Sequence, residues 1–261
     1  FRFHAWYGDA TGGLDADALA AISANLDGLD RLSGERVGSE ITRLLAAPDP
    51  APALAMAGVM AVFTAADLGD MKREIPVRLA PMAGFERFLQ PPLARDVVRY
   101  AGEPVALVVA EHAYLVEDAL AAVAVDYEPL DAVVTMDDAA RDNTIIHATA
   151  GTNLATGYVM GRGRRDAAFA TADHVIERTL SCHRHTPAPL ETRGLVAAYD
   201  AAQDRLRVLG ATKVNFYNRR LLATFMDMDE VQIDLIEVDV GGGFGVRGEF
   251  YPEDFLIPFA A

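Results

Sequence analysis

The alternation of hydrophobic and polar residues along the chain predicts many short strands with helices between them. Alternating runs and short β-branched runs are typical of strands, whereas apolar residues three and four positions apart are typical of helices. The predicted strands lie in residues 54–64 (after a helical turn), 97–100, 105–110, 123–127, 174–180, 195–199, 205–209 and 231–238. The predicted helices lie at 15–26, 114–122, 167–172 and 218–224, and another begins within 251–257. Solvated or hairpin-type turns are predicted at 137–143 and 200–204.

The strand at 231–238 leads into a run in which four of the five residues from Gly241 to Gly245 are glycine. Glycine adopts positive φ without strain and has no Cβ between its backbone and a ligand. Such a turn can bring bare N–H groups against phosphate or oxo oxygens. A proline and two acidic residues favour a helix start just after it. The order strand, glycine turn, helix therefore predicts a cradle for an anion; the alternative is a tight bend and nothing more.

The glycine run does not match the familiar nucleotide-binding signatures. A Walker loop continues with Gly-Lys-Ser/Thr, whereas this loop continues with Val246 and Arg247. Residues 243–248 match Gly-x-Gly-x-x-Gly, but too little chain follows to supply the second strand of a dinucleotide-binding unit. A large aromatic residue within the loop, Phe244, indicates a side chain presented to a pocket. Its alternative role is to anchor the core.

Charge and cysteine content narrow the classes of partner. A formal net charge of −15 argues against nucleic acid or an anionic membrane, since phosphate binding requires clustered Lys and Arg. No run of 18 apolar residues predicts a membrane span. One cysteine, Cys182, excludes a disulfide framework and any iron–sulfur cluster held by this chain alone. It lies beside His183 and His185, so it is interpreted either as part of a metal or nucleophile site or as a half-buried strand thiol. The expected location is a reducing cytoplasm.

Three ordered motifs resemble one enzyme family. The run at 239–245, Asp-Val-Gly-Gly-Gly-Phe-Gly, resembles the GGGFG loop of the large, molybdopterin-binding subunit of the xanthine dehydrogenase, aldehyde oxidase and carbon monoxide dehydrogenase family. Residues 102–130 are similar to the family's a/b hammerhead domain, and residues 184–194 resemble the segment that opens its first cofactor-binding domain. The resemblance implies an α+β fold: a hammerhead domain followed by the beginning of the first molybdopterin-binding domain.

The resemblance also suggests a division of the chain. Residues 46–135 are expected to form the hammerhead domain, residues 136–165 a linker, and residues 166–261 a truncated first cofactor-binding domain. Residues 1–45 lie outside the resemblance and are assigned no function. The first residue is not Met and the last residues are apolar, so we expect an N-terminal piece of a longer subunit.

The resemblance implies where the cofactor would bind. The backbone of Gly242, Gly243, Phe244 and Gly245 is expected to face the pterin dithiolene and the oxo ligands of molybdenum, with the Phe244 ring lining the substrate funnel. Lys213 stands where the family usually has a glutamine whose amide lies near a molybdenum oxygen. An ammonium donates hydrogen bonds but accepts none, so Lys213 either tunes substrate choice or marks a site that has diverged. Phe244 and Lys213 are therefore the residues expected to contact molybdenum ligands.

Three further residues near the loop have expected roles. Arg247 either neutralises the negative charge of the pterin phosphate or is solvated. Glu191 and Arg193 are expected to form an ion pair beneath the site. Gly248 stands where some purine-oxidising relatives have glutamate, which weakens a purine assignment. The family's catalytic base is a glutamate in its C-terminal portion, so no catalytic residue is predicted in this chain.

The chemistry implied is oxidative hydroxylation of an aldehyde, an N-heteroaromatic or a related small carbon substrate. The cofactor would be molybdenum–molybdopterin, in the plain or the cytosine dinucleotide form. Electrons would pass to [2Fe-2S] clusters on a small subunit and FAD on a medium subunit, and a second large subunit would complete the assembly. This chain alone is expected to be inactive. The alternative is a truncated, non-catalytic binding or assembly module, and a flavin-binding role for the glycines is weaker.

Overall fold

The computed structural model describes residues 43–45, 47–69, 74–77, 83–180, 182, 187–210, 212 and 214–261. The strands are β1 Arg43–Leu45, β2 Val59–Thr64, β3 Val97–Val98, β4 Ala106–Ala110, β5 Tyr127–Pro129, β6 Leu195–Asp200, β7 Arg205–Gly210 and β8 Ile233–Glu237. The helices are α1 Ala51–Leu54, α2 Ala113–Ala122, α3 Met136–Arg141, α4 Arg165–Ala170, α5 Asn215–Met226 and α6 Glu253–Ala260, with single 3-10 turns at Phe85–Phe88, Glu230–Gln232 and Val246–Gly248. No helix within these ranges is long and apolar enough to cross a membrane.

The first half of the described chain contains two small antiparallel sheets. One has the strand order β3-β1-β5, and the other is the pair β2-β4. Helix α2 packs against the second sheet because its apolar residues recur on one face. Its Ala119 is fully buried in a cluster with Ala53, Val62 and Val108. This strand–helix unit is the mixed architecture that the hammerhead resemblance implied.

The second half is a three-stranded sheet with the order β6-β7-β8. Strands β6 and β7 form an antiparallel hairpin, whereas β7 and β8 run parallel and are joined by helix α5. Leu206 and Val208 alternate into the core beneath this helix. The parallel register pairs Gly210 with Glu237, so β7 and β8 end at the same edge of the sheet. The segments that follow them, including the glycine loop, therefore leave the sheet side by side.

Helix α6 connects the two halves. Phe255 is fully buried and packs against Phe225 and Phe250, with ring centroids 4.5 and 5.3 Å away. One turn further along, Phe259 meets Phe63 of β2 edge to face at 5.5 Å. Aromatic pairs in such geometries add to the stabilisation from burial. The helix that follows the glycine loop is thus anchored in both halves of the molecule.

Several elements agree with the pattern-based predictions. Helix α2, the hairpin β6-β7 and helix α5 appear where predicted, with α5 longer by three residues at its start and two at its end. The start of α6 also agrees. Strands 97–100 and 105–110 both exist in shortened form, but they belong to different sheets. The strand predicted at 123–127 is reduced to a bridge between Ala124 and Asp49, followed by β5.

Two predictions of local structure are wrong. Residues 174–180 form no strand and are exposed throughout. Their β-branched residues, Val175, Ile176 and Thr179, favour a strand only where a partner strand lies alongside, and the described chain places none beside them. Residues 137–141 lie in helix α3, and only residues 142 and 143 of the predicted turn are outside it. Thr135 caps this helix by accepting a hydrogen bond from the Asp138 N–H at 3.1 Å, and Asp142 ends it at φ +53°. The cap satisfies an N–H that would otherwise have no partner.

Candidate functional site

The glycine loop lies at the edge where the parallel strands β7 and β8 end. In open sheets with parallel strands, ligands commonly bind outside the carboxyl ends of the strands. Residue Thr212 follows β7 at this edge and is buried. Lys213, the second residue expected at the cofactor, lies outside the described residues, as do His183 and His185. The site can therefore be described from the loop and from the segment 187–194 that packs against it.

The loop backbone has three residues with positive φ. Gly242 has φ +111°, Phe244 +43° and Gly245 +96°. The left-handed conformation costs a non-glycine residue about 1–2 kcal/mol, so Phe244 is strained where its glycine neighbours are not. Its ring points outward, with 74% of the residue exposed. The core-anchor alternative for Phe244 is therefore wrong, and the structure places this aromatic ring at the surface of the loop.

The N–H groups of the loop are available to a ligand. The Gly241 N–H donates to the Glu191 carboxylate at 2.5 Å. Within the part of the chain that the structure describes, the N–H groups of Gly242, Gly243, Phe244 and Gly245 have no acceptor. These residues are exposed or half-buried. The loop thus presents four accessible amide donors in succession.

Arg247 lies beneath the loop and is not solvated. Its guanidinium donates to Gly242 O from Nε at 3.2 Å and to Glu191 O from Nη2 at 2.7 Å. It also lies 3.3 Å from the Glu191 carboxylate. Only 6% of the residue is exposed. Arg247 therefore links the inner side of the glycine loop to the segment before β6.

The expected Glu191–Arg193 ion pair is wrong. Glu191 pairs with Arg247, whereas Arg193 pairs with both acids at the start of α6, reaching Glu253 at 2.6 Å and Asp254 at 2.7 Å. The Arg193 guanidinium also stacks 4.1 Å above the Tyr251 ring. These partners are 56 to 61 residues away in sequence, so the sequence around Glu191 and Arg193 gives no local signal of them.

Asp254 has a strongly perturbed acidity. Burial raises the pKa of its carboxyl group to about 6, even though the adjacent Arg193 and the N–H of Tyr251 lower it. The same carboxylate accepts from the Tyr251 N–H at 2.8 Å. Desolvation disfavours the charged form of an acid, and here it outweighs the ion pair.

A small cavity behind the loop contains residues that sequence reasoning missed. Its volume is about 20 Å³, enough for a single water, and it is bounded by Thr212, Asn218, Arg247 and Asp254 among others. The Asn218 side-chain oxygen is buried there without a partner among the described residues. Asn218 was placed in a predicted helix, but nothing in the pattern marked its polar side chain as inward-facing.

The structure brings together five of the six predicted cofactor-binding residues: Gly242, Gly243, Phe244, Gly245 and Arg247 lie on one loop. Cys182 is exposed, so it is not the half-buried strand thiol that was one of its interpretations. Within the described ranges no group of three or more His, Cys, Asp or Glu side chains could hold a metal ion. What the site offers chemically is a row of amide donors, an outward aromatic ring and a buried arginine behind them.

Comparison with known proteins gives the class of this fold and site. Residues 43–131 match the family model described as the aldehyde oxidase and xanthine dehydrogenase a/b hammerhead domain. Residues 146–261 match the molybdopterin cofactor-binding domain. The solved structure of quinoline 2-oxidoreductase from Pseudomonas putida 86 superposes with a TM-score of 0.73 at 31% identity, over 84% of this chain and 28% of that one.

The chain belongs to the xanthine dehydrogenase family of molybdenum hydroxylases, among their molybdopterin-binding large subunits. It is 35% identical over 213 residues to the large subunit of nicotine 6-hydroxylase from Paenarthrobacter nicotinovorans, covering 82% of this chain and 26% of that protein. It is 33% identical to the carbon monoxide dehydrogenase large chain of Afipia carboxidovorans, covering 76% of this chain and 25% of the relative. The chain thus spans about a quarter of the length of these relatives.

Proposed function

We propose that this chain forms part of the seat for molybdenum–molybdopterin in a molybdenum hydroxylase. The reaction would be oxidative hydroxylation of an N-heteroaromatic, an aldehyde or a related small carbon compound. The observation that carries the proposal is the glycine loop, which has four N–H groups without an acceptor among the described residues, at the edge where two parallel strands end. Among these substrate classes we favour N-heteroaromatics, because two similar proteins are named for nicotine and quinoline.

The residues present fit an anionic cofactor. Successive N–H groups form a concave donor surface for negatively charged oxygens or sulfurs, and of the four residues that supply them here only Phe244 has a side chain. Gly242 has φ +111°, a conformation that a residue with a Cβ adopts only with strain, so glycine is needed for the loop to close as it does. When bound, the cofactor supplies the metal and the redox chemistry. The chain's own contribution is to bind and orient it, and to shape the approach of the substrate with the Phe244 ring.

Lys213 belongs to this proposal by its place in the sequence. It follows the end of β7 by three residues, and β7 ends in register with β8, which leads to the loop. In the proposed site its ammonium donates to a molybdenum ligand or to an acidic group on the substrate. The catalytic base is not assigned to any residue of this chain.

The proposal extends to domains and partners. Residues 46–135 would form the hammerhead domain, residues 136–165 the linker, and residues 166–261 the first part of the cofactor-binding domain. The irregular, mostly exposed backbone of residues 142–164 supports this linker. The partners would be a [2Fe-2S] small subunit, an FAD medium subunit and a second large subunit, all in the cytoplasm. Two relatives are named as a large subunit and a large chain, which supports an assembly of several subunits. The pterin would be in the plain or the cytosine dinucleotide form.

The test is to purify the protein from its native host with any co-purifying subunits, and to measure molybdenum, pterin, released cytidine monophosphate, flavin and iron. The expected result is molybdenum and pterin in equal amounts, with dye reduction that depends on an N-heteroaromatic or aldehyde substrate. Flavin and iron without molybdenum or pterin would overturn the proposal. A purified protein that holds none of these groups would favour the alternative, a non-catalytic assembly module.

A further inference from the structure

We propose that Arg247 and Glu191 form a clamp that aims the amide donors of the glycine loop, so that Arg247 acts through the loop backbone and not by touching the cofactor. This inference rests on the proposed function for its biological meaning, but its geometry is independent of it. Both residues are positioning residues, and the alternative for Arg247 is that its charge neutralises the cofactor directly.

The hydrogen-bonding capacity of the Arg247 guanidinium is committed to the protein. Nε donates to Gly242 O at 3.2 Å, and Nη1 donates to Thr192 O at 3.4 Å. Nη2 donates to Glu191 O at 2.7 Å and lies 3.3 Å from Glu191 Oε2. The planar fork of an arginine can serve several acceptors at once, which a lysine ammonium cannot do in the same geometry. A guanidinium held in this way and 6% exposed has little capacity left for a ligand.

The clamp fixes the direction of the loop amides. A trans peptide unit is planar, so its C=O and N–H point to opposite sides, and the described residues contain no cis peptide. Because Gly242 O is held inward by Arg247, the N–H of Gly243 points outward. Gly243 O accepts from the Val246 N–H at 2.9 Å, which directs the Phe244 N–H away from that turn as well.

Glu191 holds the other side of the same arrangement. Its Oε2 accepts the Gly241 N–H at 2.5 Å and also faces Arg247. One carboxylate oxygen thus secures the entry of the loop and the arginine that secures its middle. The segment carrying Glu191 is itself fixed to α6, because Arg193, two residues further along, binds Glu253 and Asp254. The loop is therefore held by a chain of contacts that ends in the core.

The experiment compares Arg247→Lys, Glu191→Ala and the double variant in the protein purified from its native host. Two quantities are measured: hydrogen exchange of peptides covering 241–248, and molybdenum and pterin content. Each single variant is expected to speed exchange of the hydrogen-bonded amides in this peptide, those of Gly241, Val246 and Gly248, about tenfold or more, while strands β6–β8 exchange as in the wild type. Each is also expected to lower cofactor content by a similar factor, since residues that orient a metal site typically change its affinity about 10- to 100-fold. The double variant should be no worse than either single one.

Arg205→Lys is the matched control. Arg205 donates to Asp234 at 2.7 Å near the end of the sheet away from the loop, and its replacement should leave both quantities unchanged. If Arg247→Lys keeps wild-type exchange and cofactor content, the positive charge of residue 247 and not its hydrogen-bonding geometry supports cofactor binding, and the clamp is overturned. If Glu191→Ala has no effect, the clamp is also overturned. Should Arg247→Lys fail to fold, the half-exposed Glu191 still decides the question.

The failure of the clamp and the failure of the proposed function are distinguishable. A wild-type protein without molybdenum and pterin contradicts the proposed function, yet the exchange of residues 241–248 still shows whether the clamp orders the loop. Conversely, a cofactor-loaded wild type whose variants behave like Arg205→Lys retains the function and removes the clamp.

Discussion

Replacing single glycines of the loop tests its backbone geometry residue by residue. Gly242→Ala introduces a Cβ at φ +111°, 2.9 Å from the Phe244 ring and 3.3 Å from Pro189 Cβ. The exposed ring can swing away, so backbone strain dominates, and strain in sparsely populated φ/ψ regions costs about 1–3 kcal/mol. In Gly243→Ala the new Cβ would lie 3.7 Å from Arg247 Cγ, an ordinary contact, and φ is not in the left-handed region.

The free energy of unfolding should therefore separate these neighbouring variants. Gly242→Ala is expected to lower it by about 2 kcal/mol, and Gly243→Ala to change it by less than about 0.5 kcal/mol, because alanine at a compatible position also reduces the entropy of the unfolded chain. The assay is urea unfolding of the 261-residue chain at constant pH. Equal losses, or a larger loss in Gly243→Ala, would refute the φ angles from which the argument starts.

Three further predictions concern the core, the loop aromatic and a buried acid. Phe255→Ala should lower the free energy of unfolding by about 3–5 kcal/mol, because Phe255 is fully buried. Phe216→Ala should change it by less than about 0.5 kcal/mol, because that residue is 78% exposed. Urea unfolding measures both variants. Phe244→Gly should relieve about 1 kcal/mol of left-handed strain and so cost almost nothing in stability, while raising KM for the substrate in steady-state assays of the native protein. Asp254→Asn should gain stability relative to the wild type as pH rises from about 4 to 7. Folding raises the pKa of the Asp254 carboxyl from 3.8 to about 6 and so favours its protonated form. As this carboxyl ionises, the free energy of unfolding of the wild type falls by up to about 3 kcal/mol, a loss that the neutral amide does not undergo.

Each of these predictions has a contradicting result. If Phe255→Ala and Phe216→Ala lower the free energy of unfolding by similar amounts, Phe255 of α6 is not part of the hydrophobic core. A large loss of stability in Phe244→Gly would place that ring in the interior rather than at the loop surface. A difference between wild type and Asp254→Asn that stays constant with pH, or that shifts in favour of the wild type as pH rises from about 4 to 7, would contradict the sign of the Asp254 pKa shift.

Local patterns predicted much of this fold because their signals are short-range. The spacing of apolar residues predicts helix α2, and a polar turn between two strand-like runs predicts the hairpin of β6 and β7. The glycine loop is recognisable from its own short sequence. The ladder partners of short strands depend on distant segments, which is why residues 97–100 and 105–110 were adjacent in sequence but joined different sheets. Residues 174–180 contain three β-branched residues but have no strand alongside them within the described chain.

The contacts that hold the glycine loop in place could not be predicted from the sequence, because they too join distant segments. Arg193 and Glu191 are two residues apart, so the sequence favours an ion pair between them. In the structure each side chain instead binds a partner 50 or more residues away. The side chain of Arg247 is buried only because two backbone segments converge around it. Asn218 is inward-facing because of how α5 sits on the sheet. Such contacts are set by the tertiary arrangement and leave no mark on the local pattern.

The most direct test of the central claim is a crystal structure of the native protein with its cofactor bound. The account predicts that N–H groups from Gly242 to Gly245 lie at hydrogen-bonding distance, about 2.7–3.2 Å, from oxygen ligands of the metal or from the pterin, with Arg247 still holding Gly242 O from behind. A bound molybdenum–pterin elsewhere in the protein, with these N–H groups facing solvent or other protein atoms, would contradict it.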